Sequence, residues 1–167
     1  MTGLERSADF RKPGRQDRLL QEQTHDPYRY NQKLKEPTVC PECKAVVHNG
    51  HWSWAAVPEG ADQQICPACQ RIKDGAPAGY LTLRGEFLSL HEAEIMSLIH
   101  HHVEREQSRH PLKRIMQHQK QDGSLVITFT DAHLARGVAE AVYHAYDGAL
   151  DMHYPKDEVV LHVNWSR

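Results

Sequence analysis

The chain has 167 residues, with 20 Lys and Arg against 22 Asp and Glu, 13 His and four Cys. Near-neutrality excludes a surface that coats nucleic acid everywhere, so any such contact has to be local; no apolar run is long enough for a membrane-spanning helix. The length suits one ordinary domain, or a small domain joined to a metal-stapled module, and the cysteines favour the second arrangement.

Residues 1–38 are polar and poor in aliphatic side chains. Their cations are Arg6, Arg11, Lys12, Arg15, Arg18, Arg29, Lys33 and Lys35, interleaved with Tyr28 and Tyr30. The segment reads as an extended basic arm, with a short helix expected only over residues 15–23 through Leu19 and Leu20. Cations that reach phosphates and tyrosines that stack suit an RNA-binding tail, and a solvated linker is the plain alternative. Residues 1–20 hold no apolar stretch, so no secretory signal is expected and the location implied is cytoplasmic.

All four cysteines fall in two pairs, Cys40-Pro41-Glu42-Cys43 and Cys66-Pro67-Ala68-Cys69, in what reads as a module over residues 39–78. Each C-x-x-C turns tightly enough to offer two thiolates to one ion, which predicts a single structural Zn²⁺ held by Cys40, Cys43, Cys66 and Cys69 in a zinc-ribbon-like unit. A rubredoxin-like iron site, a redox dithiol and disulfides are the alternatives, the last requiring an oxidising compartment. Inside the module, Asn49-Gly50 between two short apolar runs is a two-residue hairpin signal. Trp52 and Trp54 lie two apart on one face, and at least one is expected to pack against the metal knuckles; the other reading is a stacking platform for a base. Lys44, Arg71 and Lys73 flank the knuckles and extend the basic path of the arm.

Residues 79–167 read as an α+β domain. A strand over 80–84 precedes a helix opened by a Ser89/Glu92 capping box, with Ile95, Leu98, Ile99 and Val103 inward and an end near Ser108, ahead of Pro111. Strands over 112–119 and 125–130 flank the turn Asp122-Gly123. Asp131 caps a second helix that buries Leu134, Val138, Val142 and Ala145 and stops at Gly148. Strands over 149–154 and 158–165 complete the order β-α-β-β-α-β of a ferredoxin-like fold with one extra hairpin strand.

Catalytic signatures are missing. His91-Glu92-Ala93-Glu94-Ile95 begins like H-E-x-x-H but has isoleucine where the second ligand belongs. His100, His101 and His102 are adjacent on a helix, point about 100° apart and cannot converge on one ion. No phosphate-cradling glycine loop or nucleophile elbow is present, and both cysteine pairs are committed to metal. An enzyme is not expected; recognition is. At the start of the second helix, His133 and Arg136 are further candidate donors.

From Val39 onward the chain resembles the zinc-binding adaptor family that escorts the nascent large ribosomal subunit from the eukaryotic nucleus, with its archaeal relatives and the short bacterial proteins grouped with them. The likeness rests on Cys40-Pro-Glu-Cys43, Cys66-Pro-Ala-Cys69-Gln-Arg71, the helix ending near a His-rich turn, Arg114-Ile115, Asp122-Gly123 and Asp131-Ala-His133-Leu-Ala-Arg136. It implies cysteine-bound zinc and a protein lying across the subunit-joining face of the large subunit, where tRNA and initiation factors bind. One Cys₄ set, and an end at Arg167 before the further domains of longer relatives, make nuclear export an unexpected role. The expected function is non-catalytic: binding ribosomal RNA as a dormancy or large-subunit assembly factor. A zinc- or redox-sensing interaction or transcriptional module is the alternative.

Overall fold

The computed structural model describes residues 26–28 and 33–167. Arg6, Arg11, Lys12, Arg15, Arg18 and Arg29, and the helix expected over 15–23, lie outside the described residues.

The first unit is a small sheet with a helix against it. Strands β1 (Thr38–Val39), β2 (Val46–His48), β3 (His51–Ser53) and β4 (Asp62–Gln63) are arranged β3-β2-β1-β4, with β1 antiparallel to β2 and parallel to β4. Asn49 and Gly50 both have left-handed backbones, φ 50 and 77, as the tight hairpin between β2 and β3 requires. The Glu36 carboxylate fixes that turn by accepting from both N–H groups, at 3.2 and 2.7 Å. The helix α1 (Pro67–Asp74) has no counterpart in the sequence reading, yet its ends follow the usual rules. Cys66 is the N-cap, Pro67 opens the first turn, and Gly75 closes the helix at φ 62.

The second unit contains β5 (Gly79–Arg84), α2 (Glu86–Arg109), β6 (Ile115–Gln121), β7 (Ser124–Phe129), α3 (Ala132–Tyr146), β8 (Ala149–His153) and β9 (Leu161–Ser166). The five strands are ordered β6-β7-β5-β9-β8. Both helices cover one face, where Leu81, Leu83, Ile127, Phe129, Val163 and Trp165 meet Ile95, Ile99, Val138 and Val142 in a continuous core. At Gly79 the backbone of β5 runs so close to α3 that a Cβ would lie 2.7 Å from the Ala135 methyl.

The strands β5, β6 and β7 follow the expected split β-α-β course, with β7 antiparallel to both neighbours. The final strand does not extend the sheet at its edge: β9 lies between β5 and β8 and runs parallel to β5. A purely ferredoxin-like sheet has no parallel neighbours, so this order departs from it by one inserted strand. Burial explains the choice. Leu161, Val163 and Trp165 are fully buried and need a central slot, whereas β8 alternates exposed and half-buried residues, as suits an edge.

Smaller differences concern helix ends. α2 begins at Glu86, three residues before the expected capping box, is capped by Gly85 without a side chain, and breaks helical geometry at His91 (φ −125). Its inward residues are those expected, with Leu98 half-buried. Asp131 caps α3 by accepting from the Leu134 N–H at 2.8 Å. Ala145 is exposed, because α3 is near its end there and the chain turns at Asp147 (φ 55). Among the described residues no helix is long and apolar enough to cross a membrane.

Candidate metal centre

Pairing of β1 with β4 brings the two cysteine pairs together. Val39 lies opposite Gln63, and the Gln64 N–H donates to the Val39 carbonyl at 3.1 Å, so Cys40 and Cys66 leave neighbouring strand ends. The first knuckle is closed by Lys44 N–H to Cys40 O (2.9 Å) and Cys40 N–H to Ala45 O (2.8 Å), with Lys44 left-handed at φ 67. The second knuckle is the start of α1, where the Cys69 N–H donates to Cys66 Sγ at 3.4 Å. Across the knuckles the Cys66 N–H donates to Cys40 Sγ at 3.3 Å.

The four sulfurs all lie within 4.8 Å of one another, and Cys43 Sγ and Cys66 Sγ are 3.8 Å apart. Four thiolates at about 2.3 Å from a tetrahedral ion would stand about 3.8 Å from each other. A disulfide needs about 2.05 Å, and all four cysteines are free. The cluster therefore fits a single metal ion, and among the described residues it is the one group of three or more donor side chains that does. Cys40 and Cys66 are inaccessible, Cys69 nearly so, and Cys43 is half-exposed. Trp52, Ile65 and Leu112 pack around them.

Electrostatics favour a cation at the centre. Burial opposes ionisation of Cys40, but the N–H groups of Cys43, Cys66 and Glu42 outweigh it and bring the thiol down to about 7. Burial drives Cys66 far upward, and it raises Cys69 against the pull of Arg114. Four thiols this close, three of them buried, cannot all be anions alone; a divalent ion would remove the conflict.

A fifth residue belongs to the site. Arg114, in the loop before β6, donates through Nη2 to Cys66 Sγ and to Cys69 Sγ, both at 3.3 Å. Its Nε is held by the Pro111 carbonyl at 2.9 Å and its backbone N–H by Thr130 Oγ1 at 2.9 Å. Thr130 in turn donates to the Leu112 carbonyl at 2.6 Å. The guanidinium is thus aimed by the α+β domain at sulfurs of the metal module, and there it offsets part of the roughly −2 charge of a dication with four thiolates. Sequence spacing carries no sign of this, since Arg114 lies 45 residues beyond Cys69.

The cations expected around the site divide sharply. Lys33, Lys35, Lys44 and Lys73 are exposed, Lys35 being paired with Asp62 at 3.0 Å. Arg71, expected on the outward basic path, is buried and turned inward: it meets Asp26 at 2.7 Å and the Ala76 carbonyl at 3.0 Å, and lies 4.2 Å over the Tyr28 ring. The Tyr28 hydroxyl donates to Asp74 at 2.9 Å. Arg71 therefore fastens residues 26–28 to α1 and presents no donors outward. Trp52 packs on the cysteines, as expected of at least one tryptophan, and Trp54 donates its indole N–H to the Gln107 carbonyl at 2.7 Å, tying the residue after β3 to α2. His100 and His101 are exposed and His102 is half-buried beside Arg105. His133 is exposed, and Arg136 pairs with Glu140 at 3.0 Å.

No protein-family model, curated protein or solved structure matches the chain.

Proposed function

We propose that the chain is a non-catalytic zinc protein that binds ribosomal RNA on the large ribosomal subunit in the cytoplasm. It acts by occupying places that tRNA or translation factors need, as a dormancy or assembly factor. Exclusion of this kind requires volume and affinity, with no chemical step.

The observation that carries the reading is the tetrahedron-sized sulfur cluster clamped by Arg114, which favours a closed structural ion over a reactive thiol site. Zinc suits four soft thiolates with no redox task. Such a centre would join the small sheet and the α+β domain, ferredoxin-like in its β5-α2-β6-β7-α3-β8 course, into one rigid docking body. The ribosomal part of the reading draws on the sequence resemblance and on the exposed Lys44 and Lys73 next to the knuckles and Lys33 in the preceding segment. A redox sensor fits less well, because sensing thiolates are accessible and Cys40 and Cys66 are not.

Elemental analysis with a visible spectrum tests the ion: one zinc per chain and no visible absorption are expected, and an iron–thiolate spectrum would overturn zinc. Sedimentation through a sucrose gradient with ribosomes tests the partner. The protein is expected to travel with large subunits in low salt and to detach as salt rises; remaining at the top of the gradient in low salt overturns the ribosomal reading.

A further inference from the structure

The face of the five-stranded sheet opposite the helices is uncovered by either helix, and it holds a cavity of about 610 Å³. Tyr80, Thr82 and Arg84 of β5 and Val126 and Thr128 of β7 form its floor. Gln117 and Gln119 of β6, paired with Thr128 and Val126, continue the lining across the sheet, and Ile72 and Pro77, from α1 and the segment after it, complete it.

Aromatic rings continue this floor on one side. Tyr80 stacks on His162 of β9 at 5.0 Å between centroids and 17° between planes, and His162 stacks on His153 of β8 at 5.8 Å and 24°. The cavity lies on the other side of Tyr80, since β9 and β8 contribute nothing to its lining. The arrangement is a preformed stack of rings with an open berth at its end.

The lining states what fits the berth. Its apolar residues are too few and too scattered for an amphipathic helix, which needs a continuous apolar groove. Its amides and hydroxyls offer donors and acceptors around a flat slot, as the edges of an unpaired base require. Charge is sparse. Among the described residues, Arg84, at the end of β5, and Asp122, in the turn between β6 and β7, are the only charged side chains of its lining. A nearly neutral, hydroxyl- and amide-lined floor suits one to three unpaired nucleotides of single strand, not the dense phosphates of a duplex.

We propose that this open sheet face binds single-stranded RNA, seating an unpaired base on Tyr80 as the next member of the His153–His162–Tyr80 stack. The inference deepens the ribosomal reading above and rests on it for the identity of the polymer.

The test uses the full, metal-loaded chain and a fluorescein-labelled single-stranded RNA of about eight nucleotides, followed by anisotropy, with the same RNA annealed to its complement as control. Single strand is expected to bind at least about tenfold more tightly than duplex. Tyr80→Phe should stay within about twofold of the native chain, while Tyr80→Leu and Thr82→Glu should each weaken binding by about tenfold or more. Thr82→Glu needs no large side chain removed, so it keeps the test valid should Tyr80→Leu fail to fold. Native-like binding by a folded Thr82→Glu variant overturns the proposal, as does equal affinity for duplex. So does a shift from dimer to monomer in Thr82→Glu with oligonucleotide binding unchanged, which would assign the face to a second copy of the chain. Ribosome sedimentation is read separately. Native chain that binds the oligonucleotide through Tyr80 but never sediments with ribosomes supports the berth and overturns the ribosomal reading; sedimentation with unaltered oligonucleotide binding in both variants does the reverse.

Discussion

Arg114 Nη2 sits 3.3 Å from Cys69 Sγ, so a guanidinium anchored in the α+β domain completes the surroundings of a four-cysteine cluster, suited to one metal ion, that another part of the chain builds. The contact is made to sulfurs that would bind the ion, and the same nitrogen reaches Cys66. Such hydrogen bonds withdraw charge from thiolates and hold them in place, and outer partners of this kind typically change metal affinity by about 10- to 100-fold. Arg114→Gln is therefore expected to weaken zinc binding by about tenfold or more in a chelator competition. Arg114→Lys should fall between the two, since a point charge cannot reproduce the fixed fork that reaches both sulfurs while Nε holds Pro111. Unchanged zinc affinity in Arg114→Gln would mean that the contact is incidental.

Metal removal should act unequally on the two units. The small sheet has strands of two or three residues, and its core around the ion is Cys40, Cys66, Ala68 and Cys69, too little to stand alone. The five-stranded domain has an extensive core of its own. A strong chelator is expected to abolish the near-ultraviolet signal of Trp52 and expose residues 39–74 to protease, while the second unit keeps its secondary structure. Rebinding of zinc must displace the protons that burial holds on Cys66 and Cys69, so affinity falls as pH falls. Cooperative loss of the whole fold on chelation would show that the α+β domain depends on the ion.

Features set by neighbours in the chain were readable from sequence. Cysteine spacing picked out the four residues whose sulfurs come together in one cluster, and Asn49-Gly50 and Asp122-Gly123 adopt the left-handed pairs that tight hairpins require. Asp131 caps its helix for the same local reason. Features decided across the fold were not. The position of β9 beside β5 is set by competition between strands for a buried slot, Arg114 reaches the sulfurs only after both units are in place, and α1 is hidden within the second C-x-x-C and its linker. Arg71 shows the limit most plainly: a cation beside a knuckle looks available in sequence, yet Asp26 and Tyr28 draw it inward.

That inward turn separates two kinds of basic residue near the metal. Arg71→Ala strands Asp26 and leaves a gap above Tyr28, and because Asp26 remains partly solvated the expected cost is about 1–3 kcal/mol of stability, below the range for a fully buried pair. Lys44→Ala and Lys73→Ala should leave stability within about 0.5 kcal/mol. If the exposed lysines touch phosphate, each of those variants lowers the slope of log affinity for RNA against log salt by about one. Thermal melts and salt titrations of the three variants decide the assignment: a reduced salt slope in Arg71→Ala at native stability would return Arg71 to the RNA-facing set.

The loop that carries Arg114 is held at its other side by Lys113, which meets Glu106 at the end of α2 at 2.8 Å. Hydrogen bonding by Lys113 keeps the Glu106 carboxyl below its ordinary range, with burial opposing. A carboxyl that releases its proton more readily in the folded chain than in the unfolded one stabilises the fold above the ordinary glutamate pKa, and that contribution is lost as pH falls through the depressed folded value. Glu106→Gln is accordingly expected to be less stable by up to about 1 kcal/mol near neutrality, the range for a partly exposed pair. The gap between variant and native chain should close on the acid side of the glutamate range. Because Lys113 adjoins Arg114, the same variant should also weaken zinc retention slightly at neutral pH. A stability gap that stays constant with pH would show that Glu106 acts through packing and not through its charge.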